Sequence, residues 1–350
     1  MFVDPKTSGT EDGGAPLLSV IVPVYRTPEP LLRAALDSIL TGEVKDLELI
    51  CVDDCPGGES SPILAEYQAR DPRVRLLVND RNRGVSHSRN RGLAAARGAW
   101  LAFQDSDDRV TPDGYARLIA FAQEHGLDAA RGRFVRDFNA PLSSFGELAP
   151  GESCVASTTQ TSRVLQTTLE MFRWSACGGV YRRTALQGCN FPELLTRYED
   201  GVFIASFLLA ERKVGCLNIP LYLYVARGES LSHRVPTVKE YVTYATAAGL
   251  IAQAMRQVRN VVAEDVLRYY ARWCLHILFS DRRGFERVKG RRQRDAFCAG
   301  AREVAWAIAP YVAWYLRWTL RLVALWPRML FWPGRVAWNL IKLEAGRTFP

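Results

Sequence analysis

The stretch GAWLAFQDSDDRV, residues 98–110, decides how this chain is read. A short apolar run of strand character ends in Asp105, Asp107 and Asp108, three carboxylates within four residues. Like charges this close repel, so the segment calls for either water or a cation at the end of a strand. Working outward, residues 17–25 (LLSVIVPVY), 47–54 (LELICVDD), 74–78 (VRLLV) and 100–103 (WLAF) read as buried strands, with amphipathic helices at 31–40, 63–70 and 86–97 between them. A helix opened by Thr111 and Pro112 and a weaker strand at 129–135 continue the series. Such alternation predicts an α/β fold, a doubly wound, mostly parallel sheet whose ligands bind beyond the carboxyl ends of the strands. Asp53 and Asp54 close one strand and the three aspartates another, so five carboxylates are expected along one edge.

At 350 residues, 48% hydrophobic and 23% charged, the chain has an ordinary globular balance. Residues 1–16 are polar and lack an apolar core, which predicts a flexible leader instead of a secretory signal and a cytoplasmic body. Residues 17–235 are expected to form the main domain, in two halves, 17–135 and 136–235, to which the family resemblance described below gives the donor nucleotide and the acceptor and catalytic groups respectively. Residues 139–168, rich in Ser, Thr, Pro and Gly, read as a long excursion, a lid or part of an acceptor cleft. Order resumes at residues 169–174, a short strand at 179–182, and YEDGVFIASFLLAER, residues 198–212, a helix with Glu199 and Asp200 in its first turn. The eight cysteines show no metal-ligand spacing and are expected to be reduced thiols, mostly of the core.

The DSDD cluster offers hard oxygen ligands for Mg²⁺ or Mn²⁺, ions commonly held by one or two carboxylates and completed by substrate phosphates. A calcium loop is excluded, because the sixth position is Val110 instead of Gly and the twelfth is Ala116 instead of Glu. The competing structural role is a cap on the following helix by Asp107 or Asp108.

In order, SVIVPVY (19–25), ELICVDDCPGG (48–58), NRGVSHSRNRGLAAARGAWLAFQDSDD (82–108), YEDGVFIASFLLAERK (198–213) and NIPLYLYVARGESLS (218–232) resemble the family 2 glycosyltransferases of GT-A fold. The resemblance implies a nucleotide sugar donor, uridine-linked in the leading reading, and single-displacement inversion at the anomeric carbon. It makes Pro23 and Tyr25 contacts of the nucleotide and places Asp53 and Asp54 against base and ribose. Asp105-Ser106-Asp107 resembles the DXD motif, with Asp107 the first candidate for the metal and Asp108 a neighbouring or alternative ligand. Asp200, beside Glu199, resembles the catalytic base; its structural alternative is an acid stabilised by the helix dipole. Arg89 is implied at the donor site, Arg227 at the diphosphate, and His233 at diphosphate or metal. The usual VDDGS continues here as VDDCPGG, which changes the loop at Cys55 and Pro56.

From residue 236 onward the pattern is helical and the charge is +11, against −3 for the rest. Seven of nine tryptophans lie beyond residue 270, interleaved with arginines such as Arg317, Arg321 and Arg328. The longest charge-free run there, residues 304–316, has 13 residues and contains Pro310, too short for the roughly 18 needed to span a bilayer. Interfacial helices on the cytoplasmic face of a membrane fit the composition, and packing against the enzyme or a second subunit is the alternative. The acidic sheet edge argues against nucleic acid. The acceptor is accordingly expected to be a glycan, free or lipid-linked, in bacterial surface polysaccharide or glycolipid synthesis. Two other functions stay open: a catalytically inactive nucleotide- or carbohydrate-binding protein of the same fold, and a sugar nucleotidyltransferase, although residues 22–30, VPVYRTPEP, lack its Gly-rich phosphate loop.

Overall fold

The computed structural model of the chain describes residues 14–140, 142–144, 148–172, 175–225, 237–258, 260–279, 290–311 and 321. Within them the strands are β1 (Leu18–Val24), β2 (Leu47–Asp53), β3 (Val74–Val78), β4 (Trp100–Phe103), β5 (Arg109–Val110), β6 (Ala129–Val135), β7 (Ser153–Ser157), β8 (Gly179–Arg182) and β9 (Lys213–Leu223). They form one sheet in the order β3-β2-β1-β4-β8-β6-β9-β5, with β7 added along β9. The strands from β3 to β4 run parallel, as does β6 with β9. The pairs β4/β8, β6/β8, β5/β9 and β7/β9 are antiparallel, so the second half of the sheet is mixed.

Strands β2 and β4 are buried along their whole length, which is why β4 and residues 49–52 of β2 read as continuous apolar runs without alternation. Helices α1 (Glu29–Leu40), α2 (Ser60–Arg70), α3 (Val85–Ala95) and α4 (Gly114–Glu124) connect or cover them. The chain leaves β1 toward β2 and β3 and returns on the other side of β1 as β4. That reversal makes a switch point between β1 and β4, the place where an open α/β sheet has its ligand crevice. Helix α3 lies close on the sheet because residue 92 is glycine: a Cβ there would stand 2.4 Å from Ile21 Cγ2.

The excursion foreseen at 139–168 holds more regular structure than its composition suggests. It contributes β7 and the start of α5 (Arg163–Phe172). The leader boundary also moves, since the Pro16 carbonyl already accepts from Ala99 N–H at 3.0 Å beside the sheet. Helix α6 (Glu199–Leu208) follows β8, and Val202, Phe203, Phe207 and Leu208 all face the core as its periodicity requires.

After residue 236 come α7 (Val238–Gln257), opened by a capping box between Thr237 and Glu240, α8 (Glu264–Phe279) and α9 (Arg291–Ile308). Helix α7 packs on α6, α8 and α9. Trp273 is buried in this bundle whereas Trp306 on α9 is half-exposed. Among the described residues no helix is long and apolar enough to cross a membrane. Arg317, Arg328 and most of the aromatic tail lie outside the described residues.

Candidate active site

Two loops meet at the switch point. Residues 25–27 follow β1 and residues 104–108 follow β4, and Thr27 Oγ1 lies 2.5 Å from Ser106 Oγ in a buried contact between them. The second loop is pinned on its other side by β9. Asp105 N–H donates to Tyr222 Oη at 3.0 Å, and Val225 N–H donates to the Asp108 carboxylate at 2.8 Å. Gln104 Nε2 closes the turn on the Asp108 carbonyl at 3.1 Å.

These ties sort the three aspartates. Asp105 keeps its side chain 40% exposed and Asp107 is half-buried, so both reach the ligand edge. Asp108 is turned into the protein, and burial followed by repulsion from Asp105 and Asp107 pushes its carboxyl up to about 7. It organises the end of β9, which sets it apart from the other two as a ligand. Neither Asp107 nor Asp108 caps a helix, since β5 intervenes and the N-cap of α4 is Asp113.

Arg89, one turn into α3, joins this loop to the start of α6. Its Nη2 donates to Asp105 at 2.8 Å, and its Nη1 to Asp200 at 2.5 Å and to Glu199 at 3.4 Å. The side chain is only 4% exposed and its guanidinium lies 5.3 Å from the centre of the Phe191 ring. Asp200 is held on its other oxygen by Ser175 Oγ and Ala176 N–H, both at 3.1 Å. Beneath that turn, buried Arg131 donates to the Ser175 carbonyl at 2.6 Å and packs on Phe134 and Phe172. Burial pushes the Asp200 carboxyl up, against the pull of Arg89 and the two donors. Burial and then the Asp200 charge push Glu199 to about 7, with Arg89 again opposing.

The end of the edge beyond β2 is shaped by Asp53 and Asp54, both buried. Asp53 accepts from Cys55 N–H at 2.9 Å and Ser61 Oγ at 2.6 Å. This turn uses only the backbone of residue 55, so the change from Gly to Cys there leaves it intact. Asp54 accepts from Asn79 Nδ2 and Arg83 N–H, each at 2.7 Å, and from Gly84 N–H at 2.8 Å. It thereby fills the amino-terminal end of α3 with its own negative charge. Both aspartates act on the loops of the edge. Pro23 is half-buried and Tyr25 is 46% exposed, with the Arg26 guanidinium over its ring at 5.4 Å.

Arg26 (φ 48°) and Tyr198 (φ 64°) are the two residues other than glycine with a left-handed backbone among the described residues. One follows β1 and the other precedes Glu199, so local strain gathers at the site. Arg227 and His233 lie outside the described residues. Sequence reasoning missed Ser175, Arg131 and Thr27, which lie outside the motifs, and Tyr222, which lies within NIPLYLYVARGESLS without being singled out; Ser106 was visible only as the spacer of DSD.

Comparisons with known proteins bear on the fold and on the family. Residues 19–187 match the family model described as glycosyl transferase family 2. The uncharacterized glycosyltransferase EpsJ of Bacillus subtilis is 27% identical over 270 residues, 76% of this chain and 78% of that protein. The succinoglycan biosynthesis protein ExoO of Rhizobium meliloti is 32% identical over 228 residues, 62% of this chain and 63% of its own length. Among solved structures, S. aureus TarS 1–349 in complex with UDP-GlcNAc superposes with a TM-score of 0.69 at 21% identity, covering 94% of this chain and 91% of that one. At that identity the likeness establishes the GT-A fold. With residues 19–187 matching that model, its glycosyltransferase relatives and that fold, the chain carries a glycosyl transferase family 2 domain and is a glycosyltransferase.

Proposed function

We propose that the protein is a cation-dependent, inverting glycosyltransferase that moves a sugar from a uridine-diphosphate donor to an acceptor hydroxyl in the synthesis of a bacterial surface polysaccharide or glycolipid. The observation that carries this reading is the single guanidinium of Arg89 shared by Asp105 and Asp200. It supports the reading by joining the loop after β4 to the first turn of α6 within the span of one side chain. The UDP-GlcNAc complex of TarS and the succinoglycan biosynthesis assignment of ExoO support the donor class and the product class.

Asp105 and Asp107 are the residues that would hold a divalent cation. Among the described residues no cluster of three or more metal-ligating side chains is preformed. Two carboxylates at an open edge suit Mg²⁺ or Mn²⁺, which complete their shells on substrate phosphates and water. When bound, the ion supplies positive charge to the departing diphosphate. In the transfer itself, the acceptor oxygen bonds to the anomeric carbon as Asp200 takes its proton. The bond from that carbon to the β-phosphate oxygen breaks, and its electrons leave with the nucleoside diphosphate. A carboxylate oxygen has two lone pairs, so Oδ1 of Asp200 can hold Arg89 on one and receive the hydroxyl proton on the other. Ser175 Oγ and Ala176 N–H keep the carboxylate oriented meanwhile. Tyr25 and Pro23 flank the nucleotide, with the loops fixed by Asp53 and Asp54. The roles assigned to the two residues outside the described ones are the diphosphate for Arg227 and the diphosphate or the metal for His233. The basic aromatic C-terminal region docks the enzyme on the cytoplasmic face of a membrane, where a lipid-linked glycan is the acceptor.

Calorimetric titration with UDP and GDP, with Mn²⁺ and then with chelator, tests this. Wild type binds UDP only with the metal, Asp107→Ala loses that binding, and Asp200→Asn binds as wild type yet loses transfer by about 10³-fold. Equal loss of binding in both variants would refute the division of roles.

A further inference from the structure

Helix α6 carries Glu199 and Asp200 in its first turn, and besides Arg89, Ser175 and Ala176 the C-terminal helices pack against this turn. Tyr198, held at φ 64°, packs edge-on against Tyr244 of α7 at 4.7 Å and Trp273 of α8 at 6.1 Å between ring centres. One residue earlier, Arg197 makes a 3.9 Å ion pair with Glu240, the same residue that closes the capping box of α7. On the other side of the carboxylate pair, Gly201 lies directly on the indole of Trp273. A Cβ at residue 201 would stand 1.9 Å from Cη2 and 2.6 Å from Cζ2. Trp273 is 1% exposed and so has little room to withdraw. The indole therefore touches the residues immediately before and immediately after Glu199 and Asp200.

We propose that Trp273 is a positioning residue for the Glu199–Asp200 pair: its indole sets how closely the first turn of α6 approaches the bundle, and so holds Asp200 on Arg89 and in line with the acceptor. This rests on the reading of Asp200 as the proton acceptor. The C-terminal helices are then part of the catalytic support and more than a docking appendage. A carbon at 1.9 Å has to retreat by about 1.5 Å to reach ordinary contact. Misplacement of about 1 Å at a reacting group costs on the order of 10²-fold in rate.

The experiment is a space-compensation cycle of Gly201→Ala, Trp273→Phe and the double variant, with Asp200→Asn run alongside. Turnover is read as diphosphate release from whichever of UDP-glucose, UDP-galactose or UDP-GlcNAc wild type consumes fastest, at a temperature where circular dichroism shows every variant folded. Hydrogen exchange of the amides of residues 199–203 is read on the same samples. Gly201→Ala is expected to lose about 10²-fold in kcat with the donor KM within about twofold of wild type. Its amides at 199–203 exchange faster. The double variant, whose phenyl ring ends short of the Cη2 edge, recovers at least tenfold of the kcat and the slower exchange. Wild-type kcat in Gly201→Ala, no recovery in the double variant, unchanged exchange, or a KM that rises in step with the loss would each overturn the role of Trp273. If Asp200→Asn keeps its turnover, the catalytic reading itself falls; if only Asp200→Asn loses turnover, the inference about Trp273 fails alone.

Discussion

A single carboxylate and a cluster of three occupy opposite ends of the same sheet, and their electrostatics run in opposite directions. At the amino-terminal end Glu48 is 2% exposed, yet its carboxyl is held below the usual range. Burial alone would raise it, but Ser19 Oγ at 2.7 Å, Arg97 N–H at 2.7 Å and Arg75 Nη1 at 2.5 Å more than offset that. At the carboxyl end one buried guanidinium serves Asp105, Glu199 and Asp200, and the last two carboxyls are pushed up by burial. A carboxylate with more donors than it needs fastens strands together. Carboxylates that divide one buried cation among three are left able to take a proton, which is what transfer chemistry requires.

The contrast breaks most severely at Arg89. Arg89→Met leaves three carboxylates around an uncompensated gap, and the expected cost is about 3–5 kcal/mol of stability together with loss of transfer. Denaturant unfolding and an activity assay at a permissive temperature measure both. A variant that stays as stable as wild type would show that the three acids do not need the shared cation. A smaller effect is expected at the other end. Glu48→Gln removes the charge but keeps the shape, costing about 1–3 kcal/mol for its hydrogen bonds to a charged acceptor. Its transfer rate should equal that of wild type, because Glu48 lies at the end of β2 remote from the switch point. A slowed rate with unchanged stability would erase the distinction between the two ends.

What was legible in the sequence followed local pattern. Strand β3, strand β4, β6 and β8 fall at the residues their apolar runs mark, and the placement of Asp105 and Asp107 at a strand end follows from the run before them. Strand β9 was harder to read because Gly215 and Pro220 interrupt it. The sheet tolerates that proline where Arg133 pairs with it, between two shifts of register. Lateral neighbours were not legible. Arg89 meets Asp200 because β4 and β8 are adjacent, a sheet order that no local period states. The same holds for Arg131, which sits in a strand that reads as ordinary and is buried between two phenylalanines with its donor on the Ser175 carbonyl. The inward turn of Asp108 depends on Val225, well over a hundred residues away in the chain.

The finest test of the contrast is the sign of the pH dependence of stability at each end. Glu199 has its folded value raised to about 7, above the roughly 4.3 of an unfolded glutamate. Between those values the folded state binds the extra proton, so this group makes the protein more stable as pH falls from about 7 toward 4.3 and contributes nothing further below. Glu48 has its folded value depressed. Its contribution is fully present above the unfolded value of about 4.3 and is lost as pH falls through the folded one. Urea midpoints from pH 8 to pH 3 should therefore show Glu199→Gln flattening the rise on the neutral side and Glu48→Gln flattening the fall on the acid side. If Glu199→Gln instead flattened the acid limb, the carboxyl end would be as well compensated as the amino end, and the electrostatic basis for placing the proton acceptor there would be gone.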